Sequence, residues 1–124
     1  FAEAGVKPAD IQYASIYDSF TITVLMQIED LGFCAKGEGG RFVADGNLIS
    51  GVGRLPFNTD GGGLCNNHPA NRGGMTKIIE AVRQLRGEAH PRVQVPGCTL
   101  ALAQGTGGQL GSRHGSATLI LERE

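Results

Sequence analysis

Apolar positions recur along this chain in two rhythms. In residues 74–86, Met75, Ile78, Ile79, Val82 and Leu85 fall at i, i+3, i+4, i+7 and i+10, the spacing of one helical face. Lys77, Glu80, Arg83, Gln84 and Arg86 make the opposite face, and Gly87 ends the helix. Residues 20–31, FTITVLMQIEDL, are apolar at 20, 22, 24, 25, 26, 28 and 31. That pattern nearly encircles a helix and predicts a buried one, with a strand as the rival reading because of its β-branched content. Asp18 or Ser19 is placed to cap it, and Gly32 to stop it.

Strand signals fill the rest. Residues 11–17, IQYASIY, are β-branched and aromatic. Residues 55–59 read as a short strand. Residues 93–103 read as another, whose CTLALA run is apolar on both faces, as a central strand is. Residues 116–122, SATLILE, alternate and form the last strand. Residues 1–6 read as the last turn of a helix closed by Gly5, and residues 8–10 as a turn. Residues 33–53 are broken by glycines, residues 61–73 form a long loop, and residues 104–111 form a turn.

The order is strand, helix, strand, helix, strand, strand. The first three strands alternate with helices and are expected to be parallel. The last two are joined by roughly a dozen residues, too few for a helical crossover, so they are expected to form an antiparallel hairpin. The fold class is therefore α/β, a mixed sheet with helices packed on it, in one domain without internal repeat.

Composition changes this picture little. The chain has 124 residues, enough for one domain that buries about two-thirds of its unfolded surface. A net charge of −1 without a basic block gives no nucleic-acid footprint. No apolar run approaches the ~20 residues of a membrane span, and no signal-peptide pattern opens the chain. Cys34, Cys65 and Cys98 are odd in number and lie in apolar or Gly-rich settings, which suggests reduced thiols and a cytoplasmic protein. The opening FAEAG suggests a fragment of a longer chain.

Candidate chemistry centres on residues 57–69, FNTDGGGLCNNHP. A polar, Gly-rich turn after a strand is where an open α/β sheet places its chemistry. His68, held before Pro69, is the best single candidate for proton transfer; its alternative is a satisfied loop histidine. Cys65 reads either as a nucleophile or as a small buried residue. Cys65-x-x-His68 is half a zinc spacing, but no second close pair completes it, and no metal is expected. Tyr17 stands at a strand C-terminus, as a core tyrosine or a functional phenol. QGTGGQLG fails the dinucleotide fingerprint, because Leu110 replaces its third glycine and a strand follows. Gly107 and Gly108 there read as a hairpin turn needing positive φ, or as backbone donors for an oxyanion. His114, after that turn, is a secondary candidate, and His90 a weaker one.

Three segments together resemble the C-terminal part of the thiolase superfamily, and more narrowly its lipid-transfer or sterol-carrier type: AGVKPADIQYASIYDSF, LPFNTDGGGLCNNHPANRGGMTKIIEAVRQLRGEA and GTGGQLGSRHGSATLIL. The resemblance spans essentially all 124 residues. It implies a three-layer α/β/α half-domain whose mixed sheet ends in an antiparallel strand, with the N-terminal half absent from residues 1–124. The first strand of the half would be missing too, leaving residues 116–122 with an unpaired edge. The family's catalytic histidine carries over to His68. Its asparagine position is Tyr17 here, and its second, acid/base cysteine is Gln104.

A glutamine cannot exchange protons near neutral pH, which places ordinary thiolysis in doubt. Some lipid-transfer-type members are retro-aldolases that cleave β-hydroxyacyl-CoA from a steroid side chain and use tyrosines, and Tyr17 fits that branch. The resemblance thus implies a CoA thioester as substrate with no further cofactor, a homodimer, and a small OB-fold partner bearing a zinc ribbon. Two alternatives stay open: an acetyl-CoA acetyltransferase with a displaced base such as His114 or Cys98, and a non-catalytic acyl-CoA or lipid-binding protein.

Overall fold

The structure, a computed structural model, describes residues 1–69, 72–108 and 115–124. Strand β1 (Tyr13–Ile16) runs parallel to β2 (Leu100–Gly107), and β3 (Gly115–Glu122) pairs antiparallel with β2 from the other side. The sheet order is β1-β2-β3, so the CTLALA strand is central. Successive strand residues point to opposite faces. Ala14, Ile16 and Leu102 therefore join one core cluster, with Val24 and Ile28 of α1 (Thr21–Asp30) and Phe42 of α2 (Gly39–Ala44). Tyr13, Ala101 and Ala103 join the other, with Ala81 and Leu85 of α4 (Gly73–Arg86). Helices thus cover both faces in an α/β/α arrangement. A short α3 (Gly62–Cys65) sits before His68.

Several expectations are corrected. Residues 55–59 do not form a full strand: Phe57 makes one parallel bridge to Ala14, flanked by Ala14 N–H to Pro56 O and Asn58 N–H to Ala14 O. Asn58 then turns to φ +42°, which ends extended backbone. The strand expected at 93–103 starts only at Leu100. Pro96 has no N–H for a ladder, Gly97 sits at φ +63°, and the Val95 N–H is taken by Gln84 Oε1 at 2.8 Å. The same strand continues through Gly107, where a turn was expected, because residues 104–107 find partners in residues 115–118. Residues 33–53 contain α2. Residues 2–5 form a single turn, not a helix, with Gly5 at positive φ.

Neither long helix is buried as expected. Helix α1 buries Val24, Gln27 and Ile28 but leaves Ile22 and Met26, and Phe20 at its N-cap, more than half exposed, so it is not a fully buried helix. Helix α4 exposes Met75 (59%) and Ile79 (45%) and buries Lys77, Glu80 and Gln84. Two of these inward polar residues are hydrogen-bonded: Glu80 Oε1 accepts from Thr59 Oγ1 at 2.6 Å, and Gln84 Nε2 donates to Thr59 Oγ1 at 2.9 Å and Val93 O at 3.0 Å. Tyr13 Oη accepts from the Thr59 N–H, and burial pushes that phenol's pKa up. A polar network, rather than the apolar stripe, sets which face of α4 meets the sheet. No helix among the described residues is long and apolar enough to cross a membrane.

Asn58 substitutes for a strand beside β1. Its Oδ1 accepts the Ile16 N–H at 2.9 Å and its Nδ2 donates to Ile16 O at 2.8 Å, both buried. Asn58→Ala strands both backbone groups and loses a residue tolerant of positive φ. It is expected to lower stability by about 2–4 kcal/mol, measured as a lower urea midpoint with an unchanged m-value.

Candidate active site

Tyr17 follows β1 directly, and its backbone is held from two sides. Its N–H donates to Gln104 O of β2 at 2.9 Å, and its carbonyl accepts from Gln27 Nε2 of α1 at 2.9 Å. Its ring lies against the bare Cα of Gly73, where a Cβ would overlap the aromatic edge. The phenol oxygen reaches His68 Nδ1 at 2.7 Å, with ring centroids 5.6 Å apart and planes tilted by 41°. Tyr17 is buried and His68 exposed, so the pair bridges from the sheet's end to the surface.

The turn bearing His68 is tied to the same strand end. Asp18 or Ser19 was expected to cap α1; instead α1 starts after Phe20 with no side-chain cap. Asp18 spends its carboxylate on α3: Oδ1 accepts the Gly63 N–H at 2.6 Å and Oδ2 the Leu64 N–H at 3.2 Å. This approach requires glycine at 62, since a Cβ there would overlap the carboxylate. Asp60 completes the turn, accepting the Gly62 N–H at 3.0 Å and Asn67 Nδ2 at 3.2 Å. Pairs of bonds to carboxylates at helix-start N–H groups are the strong kind.

A cleft of about 460 Å³ opens beside the phenol, lined by Tyr17, Gly74, residues 105–108 and Ser116. Gly107 and Gly108 therefore share a cavity with Tyr17, although Gly107 belongs to β2 and only Gly108, at φ +82°, leaves the strand. Gly105 faces the start of α4, where a Cβ would sit in ordinary contact 3.8 Å from the Gly74 Cα.

The other candidates stand apart. Gln104 is buried, with its amide bound to Ser116 Oγ at 2.7 Å and to Thr118 Oγ1. Cys98 is buried in the α4-side core, where burial pushes its thiol pKa up, the opposite of an activated cysteine. Cys65 is exposed at the end of α3, not buried as its alternative reading held. His90 is exposed and accepts the Arg92 N–H at 3.2 Å. His114 lies outside the described residues. No group of three or more potential metal ligands occurs among the described residues.

The pair has a definite chemical capability. A neutral phenol donating to Nδ1 places the ring proton on Nε2. Nε2–H can then donate to an oxyanion while the phenol oxygen accepts a proton from a substrate hydroxyl. Sequence reasoning missed Asn58, Gly73 and the true partners of Asp18. Paired glycines at a helix start were the visible signal for Gly73.

A family profile described as thiolase C-terminal domain-like matches residues 1–123. The chain belongs to the thiolase C-terminal domain-like family. It is 53% identical over 87 residues to the 17-hydroxy-3-oxo-4-pregnene-20-carboxyl-CoA lyase of Mycobacterium tuberculosis, covering 70% of this chain and 22% of that protein. It is 49% identical to the steroid side-chain-cleaving aldolase of Thermomonospora curvata, covering 86% of this chain and 26% of that protein. The solved Ltp2-ChsH2(DUF35) aldolase is similar with TM-score 0.77 and 44% identity, over 98% of this chain and 29% of that one. The chain thus spans about a quarter of the length of these relatives.

Gly73→Ala displaces the Tyr17 ring, because the helix start has no room for a Cβ beside it. A crystal structure of the variant is expected to show the Tyr17–His68 hydrogen bond broken, with a stability loss of about 1–3 kcal/mol. Gly40→Ala, in open space on α2, is expected to be neutral or slightly stabilising.

Proposed function

We propose that this chain supplies the proton-transfer half of a retro-aldolase active site acting on a β-hydroxyacyl-CoA with a steroid side chain. The observation that carries the proposal is the 2.7 Å hydrogen bond between Tyr17 Oη and His68 Nδ1, beside a glycine-lined cleft. In the forward reaction the substrate's β-hydroxyl proton passes to Tyr17 Oη as the phenol proton passes to His68 Nδ1. The Cα–Cβ bond breaks and its electron pair enters the thioester as an enolate. The β-carbon becomes a ketone. His68, now cationic, holds the enolate oxygen through Nε2–H, and the α-carbon finally takes the proton back from the pair. Charge on the imidazolium rises as charge on the enolate rises, so stabilisation falls on the transition state rather than on bound substrate.

Each proton has a donor and an acceptor, so the steps balance with side chains and the CoA thioester alone. The activities for which the lyase and aldolase relatives are named support the substrate class. A second reading, thiolysis, draws on a 39% identical acetyl-CoA acetyltransferase of Methanothermobacter thermautotrophicus. The buried Gln104 amide offers it no acid/base group and burial pushes the Cys98 thiol up; His114, its other candidate base, lies outside the described residues. Partners follow the same reading: a homodimer, and a small OB-fold protein with a zinc ribbon; the two-component name of the solved aldolase supports a second component. Free thiols at Cys34, Cys65 and Cys98 fit a cytoplasmic setting.

In the full-length protein, Tyr17→Phe retains the ring packed on Gly73 and removes only the hydroxyl. Its kcat for aldol cleavage of such a thioester is expected to fall by about 10²–10⁴-fold. Steady-state release of the ketone measures it, and near-wild-type turnover would refute the role given to Tyr17.

A further inference from the structure

Lys77 is the least expected side chain in the molecule. It stands on the polar face of α4, yet it is fully buried. Among the described residues its Nζ has no hydrogen-bond partner. It faces two carboxylates instead, Asp60 Oδ1 at 3.6 Å and Asp18 Oδ1 at 3.9 Å. Lys77 is closed off from solvent beneath the turn, so it does not meet a substrate.

Its position in the chain of contacts is informative. Asp18 is the residue after Tyr17, and its carboxylate holds the Gly63 and Leu64 N–H groups. Asp60 holds the Gly62 N–H and the Asn67 amide, and Asn67 is the residue before His68. Two carboxylates converging on one short turn repel each other unless a cation stands between them. The ammonium of Lys77 is that cation. A buried ion cluster is a poor source of net stability, and apolar replacements are often neutral or better. What it supplies is a fixed geometry.

We propose that Lys77 is a positioning residue for the Tyr17–His68 pair. It draws Asp18 and Asp60 together and so locks the turn bearing His68 against the end of β1. This rests on the retro-aldolase reading only for its kinetic consequence; the geometric part stands on the contacts alone.

The test uses the full-length protein labelled with ¹⁵N-imidazole histidine, so that the His68 ring reports its own hydrogen bond. Wild-type protein is expected to show one fixed tautomer, with Nδ1 accepting and Nε2 protonated. In Lys77→Met the His68 ring nitrogens are expected to average towards a tautomer mixture. Its kcat is expected to fall by about 10²-fold, the effect of a displacement near 1 Å, with KM moving no more than about twofold.

Should Lys77→Met fail to fold, Lys77→Gln removes the charge, keeps a polar side chain and leaves both carboxylates in place. The same loss of the His68 signature in that folded variant supports the proposal. A folded variant of either kind that keeps the wild-type tautomer and the wild-type kcat overturns it. If wild-type protein shows no aldol turnover but the imidazole signature still collapses in the variant, the functional reading fails and the brace stands. If turnover is present and indifferent to both variants, the brace fails and the functional reading stands.

Discussion

A single carboxylate joins the two halves of the candidate site. Asp18 extends from the end of β1 into the start of α3, where two backbone N–H groups would otherwise be unsatisfied. Because Tyr17 precedes Asp18 and His68 follows α3, this bond fixes how far apart phenol and imidazole can lie. Other features serve it. Asn58 and Gln27 hold the backbone on either side of Tyr17, and Gly62 and Gly73 leave room for the carboxylate and the ring.

The sheet explains why the pair sits where it does. β1 and β2 are parallel, so their C-terminal ends open on the same side, and the connections after them gather there. Tyr17, the His68 turn and the glycines of β2 reach one region from different parts of the sequence. Small side chains at Ala101 and Ala103 pack beneath α4. The first turn of α4 comes close to the phenol because Gly73 has no Cβ to meet the Tyr17 ring.

The fold was largely legible because its signals were local and strong. The central position of the apolar-faced strand and the antiparallel closing hairpin follow from patterning and connection length, and both are present. The boundaries that failed were decided by distant partners. Gln84 captures the Val95 N–H and delays β2, while Asn58 replaces most of a strand with one side chain. The orientation of α4 was misread for a related reason. Periodicity assigns the apolar stripe inward, but Thr59, Asp18 and Asp60, all far away in sequence, supply partners for the polar face. At the site, His68 and Tyr17 could be singled out from motif and position. Their mutual distance could not, because it depends on Asp18 acting across 45 residues.

The account's central claim is that the phenol and imidazole act on one substrate as a coupled pair. A crystal structure of the full-length protein with a non-cleavable β-hydroxyacyl-CoA analogue tests this most directly. The account predicts the β-hydroxyl within hydrogen-bond distance of Tyr17 Oη and the thioester oxygen within reach of His68 Nε2, with the Tyr17–His68 bond retained. An analogue bound with its acyl part away from both side chains, or a pair separated on binding, would contradict it.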